Sequence, residues 1–223
     1  MTATRRAAPK RASPPRRSPT ATPAPEQDGR ERILAAALHA FAEVGYAGAT
    51  TAGIARAAGV TQPLVHHHFG SKEKLWRAAV DHAFADLWAT LDAAAAPGVG
   101  QPDRLAAMIR AAVRFAADHP ALVRLMNDEG KRDGPRLRWL VDRHGRRLYD
   151  LAGAVLASAP RGSGLAHVAP VHLYYAFIGA VGMIFSQAAE CRRLTGVDPT
   201  TSRALVDAHA DLLVTLFLGT PGT

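Results

Sequence analysis

The run Ala49-Thr-Thr-Ala-Gly-Ile-Ala-Arg-Ala-Ala-Gly-Val-Thr-Gln-Pro-Leu-Val-His-His-His-Phe-Gly-Ser-Lys-Glu-Lys-Leu75 decides how this chain folds. It holds two short helical segments, each with a hydroxyl residue in front and a glycine behind. Thr50 or Thr51 caps the first, Ile54, Ala55 and Ala58 form its inner face, and Gly59 ends it. Thr61 caps the second, and Pro63 sits in its first turn, where a missing N–H is harmless. Gly70-Ser71 breaks that helix, and Ser71 caps a longer one carrying Leu75, Trp76, Ala79, Phe84, Leu87, Trp88 and Leu91. Lys74 stands where a reciprocal capping box needs Glu or Gln, so only half the box is present. Upstream, Ile33, Leu34, Ala37, Leu38, Phe41 and Val44 recur at three and four residues, and Gly45 closes that helix. An amphipathic helix followed by two short helices across a glycine turn is a helix-turn-helix.

The spacing also says which side chains are left for the outside. Val60, Val65 and Phe69 face inward, leaving Gln62, Pro63, Leu64, His66 and His67 on the outer side. A glutamine can make two hydrogen bonds to adenine, and an apolar Pro63 or Leu64 can touch a thymine methyl. Thr51 and Thr61 stand at helix starts, where hydroxyls and free N–H groups suit phosphate, and Lys72 adds a positive charge. The three consecutive histidines do not form a metal site. Successive helical side chains diverge by about 100°, so His66, His67 and His68 point three ways. His66 is placed beside the groove, His67 near the backbone and His68 at the packed edge; the alternative is that they only cap and pack the motif.

Composition sets the outer limits. Of the 223 residues 48% are hydrophobic, ample for a core, and Lys plus Arg outnumber Asp plus Glu by 27 to 19. A net +8 favours anionic partners. Five of those eight charges lie in residues 1–30. Residues 1–28 have no Val, Leu, Ile or aromatic residue and hold six prolines, which reads as a disordered basic Pro-rich tail. It is either a solvated leader or a basic arm that adds non-specific DNA affinity. Cys191 is alone, so no intrachain disulfide forms. No secretory signal is expected at the N-terminus, and the longest apolar run, Leu173 to Phe185, is 13 residues, short of a membrane span of about 18–20. Beyond residue 100, helical segments are expected at 102–118, 120–129, 135–159, 170–194 and 200–218, each with a proline near the start. No stretch alternates with period two, so the fold class is all-α.

The run 49–75 resembles the tetracycline-repressor (TetR/AcrR) family. The resemblance implies a helix-turn-helix DNA-binding domain at 29–77, followed by a larger helical ligand-binding and dimerisation domain at 78–219. It places Thr51, Gln62, Pro63, Leu64, His66, His67, His68 and Lys72 among the DNA contacts, and Thr50 and Thr61, at the helix starts, are further candidates. Two positions depart from the family: His66 stands where a tyrosine is usual, and Ala52 where some members have a base-reading arginine. The resemblance further implies a ligand cavity, with Trp88, Met108, Phe115, Leu122, Met126, Trp139, Tyr149 and Tyr175 as candidate lining, each alternatively plain core. Asn127, Glu129 and Arg136 are candidates for polar specificity, with plain surface solvation as the favoured alternative. A homodimer is implied through the last two long helices, with Phe177, Ile178, Val181, Gly182, Phe185, Leu205, Leu212, Leu213 and Leu216 as candidate interface residues. The expected partners are double-stranded DNA, an unknown small-molecule effector and a second copy of the chain, with no membrane, metal or cofactor, in the cytoplasm.

The expected function is a ligand-responsive transcriptional regulator, a repressor that binds a palindromic operator as a homodimer and is released by a small molecule. An enzyme is not expected: there is no His-Glu-x-x-His and no phosphate-cradling glycine loop, and Cys191 has no placed partner. The alternative is a non-specific structural DNA binder driven by the basic tail, and salt dependence separates the two. Deleting residues 1–28 is expected to flatten the salt slope of DNA affinity and leave sequence preference intact, as read by anisotropy titrations at several salt concentrations. Complete loss of binding in the truncated chain would assign the affinity to the tail.

Overall fold

The structure, a computed structural model, describes residues 25–95, 100–157 and 168–219. The expected tail lies outside the described residues except for its last four, which are helical. Helix α1 runs Pro25–Gly48 and is broken at Gly45, whose φ of 70° is left-handed. Then come α2 (Thr51–Ala57), α3 (Gln62–Phe69) and α4 (Lys72–Ala94). The second part comprises α5 (Gln101–Asp118), α6 (Pro120–Glu129), α7 (Pro135–Leu140), a π-helical turn (Val141–Gly145), α8 (Arg146–Ala157), α9 (Pro170–Ser186), α10 (Ala188–Thr195) and α11 (Arg203–Leu218). No strand occurs among the described residues.

Local chemistry sets the starts of the helices in the N-terminal part. Thr50, not Thr51, is the N-cap of α2, its Oγ1 accepting from Gly53 N at 3.0 Å. Ser71 caps α4 by accepting from Lys74 N at 3.1 Å. Thr61 has the extended backbone of a cap, but its hydroxyl makes no capping bond to α3. The α2–α3 turn passes through Gly59 at φ 66°, where an L side chain would be strained.

Two expected helices are interrupted. The 135–159 segment contains the π-helical turn, which inserts one residue per turn and rotates His144 inward. The 170–194 segment bends by 70° at Gln187, giving α9 and α10. Val44, assigned by periodicity to the apolar stripe, is 60% exposed, because it lies in the last turn of the helix before the Gly45 break.

Packing divides the interior into two apolar clusters. The first begins with Ile54, Val65 and Phe69 of the helix-turn-helix, takes in Ile33, Leu34, Leu38 and Phe41 of α1 and Leu75, Trp76 and Phe84 of α4, and continues to Phe115, Leu122, Leu125 and Leu140. The second joins α5, α9 and α11 through Val113, Phe185, Val206 and Leu213. The core therefore does not stop at residue 77; α1 packs against both α4 and α6. Ion pairs tie the same elements. Arg124 of α6 meets Glu43 of α1 at 2.7 Å, while Arg110 and Arg114 of α5 meet Asp211 and Asp207 of α11, each at 2.9 Å. At one point the backbones come very close: a Cβ on Gly182 of α9 would stand 2.7 Å from Val123 Cγ1 of α6.

His144 is the one buried polar side chain in the described core, at 6% exposure. Its ring stacks on Phe84 at 4.1 Å, and its Nε2 is 3.0 Å from Asp81 on α4, which also binds Arg143. Burial lowers its pKa below the ordinary 6.5, outweighing the upward pull of Asp81. The unfolded chain therefore binds this proton more readily than the folded one. The stabilisation from neutral His144 is complete above about pH 6.5 and is lost as pH falls through and below that value. Urea unfolding of the native protein is expected to lose midpoint between pH 7 and pH 5, and His144→Phe to lose less; equal losses would exclude His144 as the source.

Candidate nucleic-acid interface and ligand cavity

Helix α3 lies on the core by one face only. Val65 and Phe69 are buried, Leu64 and His68 are half-buried, and Gln62, Pro63, His66 and His67 are exposed. The exposed four occupy positions i, i+1, i+4 and i+5 and share one side of the helix. Gln62 Nε2 donates to Thr51 Oγ1 at 3.3 Å, tying the start of α3 to the start of α2. The amide is thereby oriented without being buried, and its carbonyl oxygen and second N–H remain for a ligand. The Thr50 hydroxyl is engaged as a cap, whereas that of Thr61 is not.

Lys72 sits differently from the free charge that its sequence position suggested. Its ammonium donates to Ala47 O at 3.3 Å and lies 4.7 Å from the Tyr46 ring centroid. It fastens the start of α4 to the end of α1, with one or two donors left over. His68 is wedged against Phe69, with ring centroids 5.9 Å apart, and its buried Nε2 has no partner. This places it at the packed edge of α3, away from the exposed row. Two arginines that the sequence reading passed over flank this surface. Arg30 lies over the Phe69 ring at 5.6 Å, and Arg56 is exposed in the last turn of α2. Only the tertiary fold brings Arg30 to α3.

On the far side of α4 lies a cavity of about 240 Å³ between α4, α5, α6, α8, α9 and the end of α11. Met108, Phe115, Leu122 and Met126 line it. Trp88, Trp139, Tyr149 and Tyr175 do not, and each has a local reason. The Trp88 ring is covered by the Arg147 guanidinium at 3.7 Å. Trp139 packs on Trp76 at 5.4 Å, at the junction with the helix-turn-helix. Tyr149 is 40% and Tyr175 66% exposed. The wall includes Tyr174, a neighbour of the expected Tyr175; one residue along a helix turns a side chain by about 100°. Burial, followed by the nearby Tyr175, raises the Tyr174 phenol pKa, so it stays a neutral hydrogen-bonding group. Of the three polar candidates only Asn127 reaches the cavity wall; Glu129 and Arg136 pair with each other at 2.8 Å.

The expected dimer surface is also redistributed. Val181, Gly182 and Phe185 are buried inside the protomer, as is Leu213; Phe177 and Ile178 line the cavity, and Leu205 is half-buried. Leu212 and Leu216 are exposed. On α9 the outer stripe is instead Val171, Tyr175 and Met183, at multiples of four residues. The two helices adjoin, His209 bonding Ala180 O at 2.9 Å and Phe177 meeting Phe217 edge-on at 5.4 Å.

Comparisons with known proteins agree with this architecture. A family model for bacterial regulatory proteins of the tetR family matches residues 33–79. The HTH-type transcriptional regulator BetI of Brucella suis biovar 1 is 38% identical over 88 residues, covering 40% of this chain and 43% of that protein. The chain spans less than half the length of such curated relatives. Over the whole fold, a TetR-like transcriptional regulator from Rhodococcus sp. RHA1 superposes with a TM-score of 0.62 at 21% identity, covering 85% of this chain and 93% of that one. AibR, solved in complex with isovaleryl coenzyme A and operator DNA, superposes with a TM-score of 0.66 at 19% identity over 86% of this chain and 98% of its own. The helix-turn-helix is thus similar in sequence to that of the tetR family of bacterial regulatory proteins over residues 33–79, and the whole chain shares the fold of TetR-like regulators.

Proposed function

We propose that the chain is a site-specific DNA-binding transcriptional regulator, a repressor that acts as a homodimer and is released by a small molecule. The observation that carries this reading is the exposed row Gln62, Pro63, His66 and His67 on a helix whose opposite face, Val65 and Phe69, is fixed in the core. A helix held in this way can enter the major groove, with Gln62 reading a base and Thr50, Thr51, Thr61, Leu64, His67 and Lys72 serving phosphate or methyl contacts. The domains that follow from it are helix-turn-helix at 29–77 and ligand-binding and dimerisation at 78–219, with α1 and α4 belonging structurally to both. AibR, of the same fold, was solved with an acyl coenzyme A and with operator DNA, which supports pairing the two activities on one chain.

Homodimerisation is supported by the apolar stripe Val171, Tyr175, Met183, Leu212 and Leu216 on two adjoining helices. A twofold dimer matches a palindromic site. Release follows from α6. Its Leu122 and Met126 face the cavity, its Leu125 packs in the cluster shared with α1, and its Arg124 holds Glu43. A ligand that moves α6 moves α1, and with it the separation of the two α3 helices.

Selection from random duplexes at near-physiological salt tests the reading. An inverted repeat is the expected product, and recovery of no motif would overturn site-specific reading in favour of a tail-driven binder. On the recovered site, Gln62→Ala is expected to cost about 1–3 kcal/mol and relax preference at one base pair per half-site. Leu216→Asp is expected to convert the dimer to monomer in sedimentation velocity; a persistent dimer would place the interface elsewhere.

A further inference from the structure

The cavity wall has an unusual chemical uniformity. Among the described residues that line it none is charged, and Asn127 and Tyr174 alone carry hydrogen-bonding side chains. Five arginines on or near the surrounding helices are already engaged elsewhere. Arg110 and Arg114 hold Asp211 and Asp207, Arg124 holds Glu43, Arg136 holds Glu129, and Arg147 covers Trp88. A charged ligand entering this space would lose its hydration and meet no counter-charge. A neutral apolar one would be solvated by Phe84, Phe115, Met126 and Phe177 with nothing left unpaired.

Size narrows the class further. About 240 Å³ is below the ~300–1,000 Å³ common for drug-sized ligands. We infer that the effector is a small neutral apolar molecule with a single hydrogen-bonding end, that end held by Asn127 and Tyr174. The inference rests on the proposed regulator reading for the word effector, and on the cavity alone for the ligand class.

The test uses three probes of one length on the full chain without DNA: 1-octanol, octanoate and octylammonium, by isothermal titration calorimetry at pH 8. The alcohol is expected to bind at least tenfold tighter than either ion. Asn127→Leu and Tyr174→Phe are each expected to weaken the alcohol about threefold to tenfold, the worth of a single hydrogen bond. Ala112→Phe is expected to abolish its binding by filling the cavity, and Ala152→Phe repeats the block from the α8 side should the first variant fold poorly. Octanoate or octylammonium binding as tightly as the alcohol, no binding by any of the three, or binding indifferent to both blocking variants would overturn the inference. Operator release is measured separately by anisotropy. An alcohol that occupies the cavity and leaves the operator complex intact would count against the regulatory mechanism while the ligand class stands.

Discussion

The structure depends on the burial of one helix, α1, between two others. Its Leu38 and Phe41 sit in an apolar cluster that begins at Ile54 and Val65 in the helix-turn-helix and ends at Phe115 and Leu122 in the cavity wall. Interiors are close-packed, so a displaced wall residue cannot be absorbed by empty space nearby. The helix-turn-helix has few apolar residues of its own and draws on α1 and α4 to complete its core. The same economy joins it to the second part of the molecule. Arg124 and Glu43 add direction to that contact rather than much stability, since both are partly exposed.

Seen from the cavity, α6 is the element with two audiences. It has only ten residues, and its opposite faces meet the cavity and α1. Its start is set by Pro120 and its end by Gly130, so it has little internal means of bending and moves as a body. Gly182 lets α9 approach Val123 closely and so fixes the resting position of α6. A ligand parting α6 from α9 would push in the one direction where α1 lies.

The sequence showed the first half of this design more clearly than the second. Thr50, Gly59, Pro63, Gly70 and Ser71 act within four residues of themselves, so caps, breaks and the inward face of α3 could all be read locally. Helix α9 could not be read in this way. It is apolar nearly all round, so periodicity has no polar face against which to orient it. Val181 and Phe185 therefore looked like a partner surface and are interior, whereas Tyr175 and Met183 face out. The same ambiguity exchanged Tyr174 for Tyr175 in the cavity wall. The Gln187 bend, the π-helical turn and the Arg124–Glu43 pair, 81 residues apart in sequence, are set by tertiary packing and leave no local mark.

The most direct measurement of this coupling is the operator affinity of Gly182→Ala. The added methyl group meets Val123 and wedges α6 from α9, far from every residue of α2 and α3. If α6 and α1 move together, the folded variant, checked by its circular dichroism and unfolding midpoint, should bind operator about tenfold more weakly, a coupling of about 1.4 kcal/mol. Unchanged affinity in a folded variant would contradict the account, and would mean that the shared core holds the two parts together without carrying a signal between them.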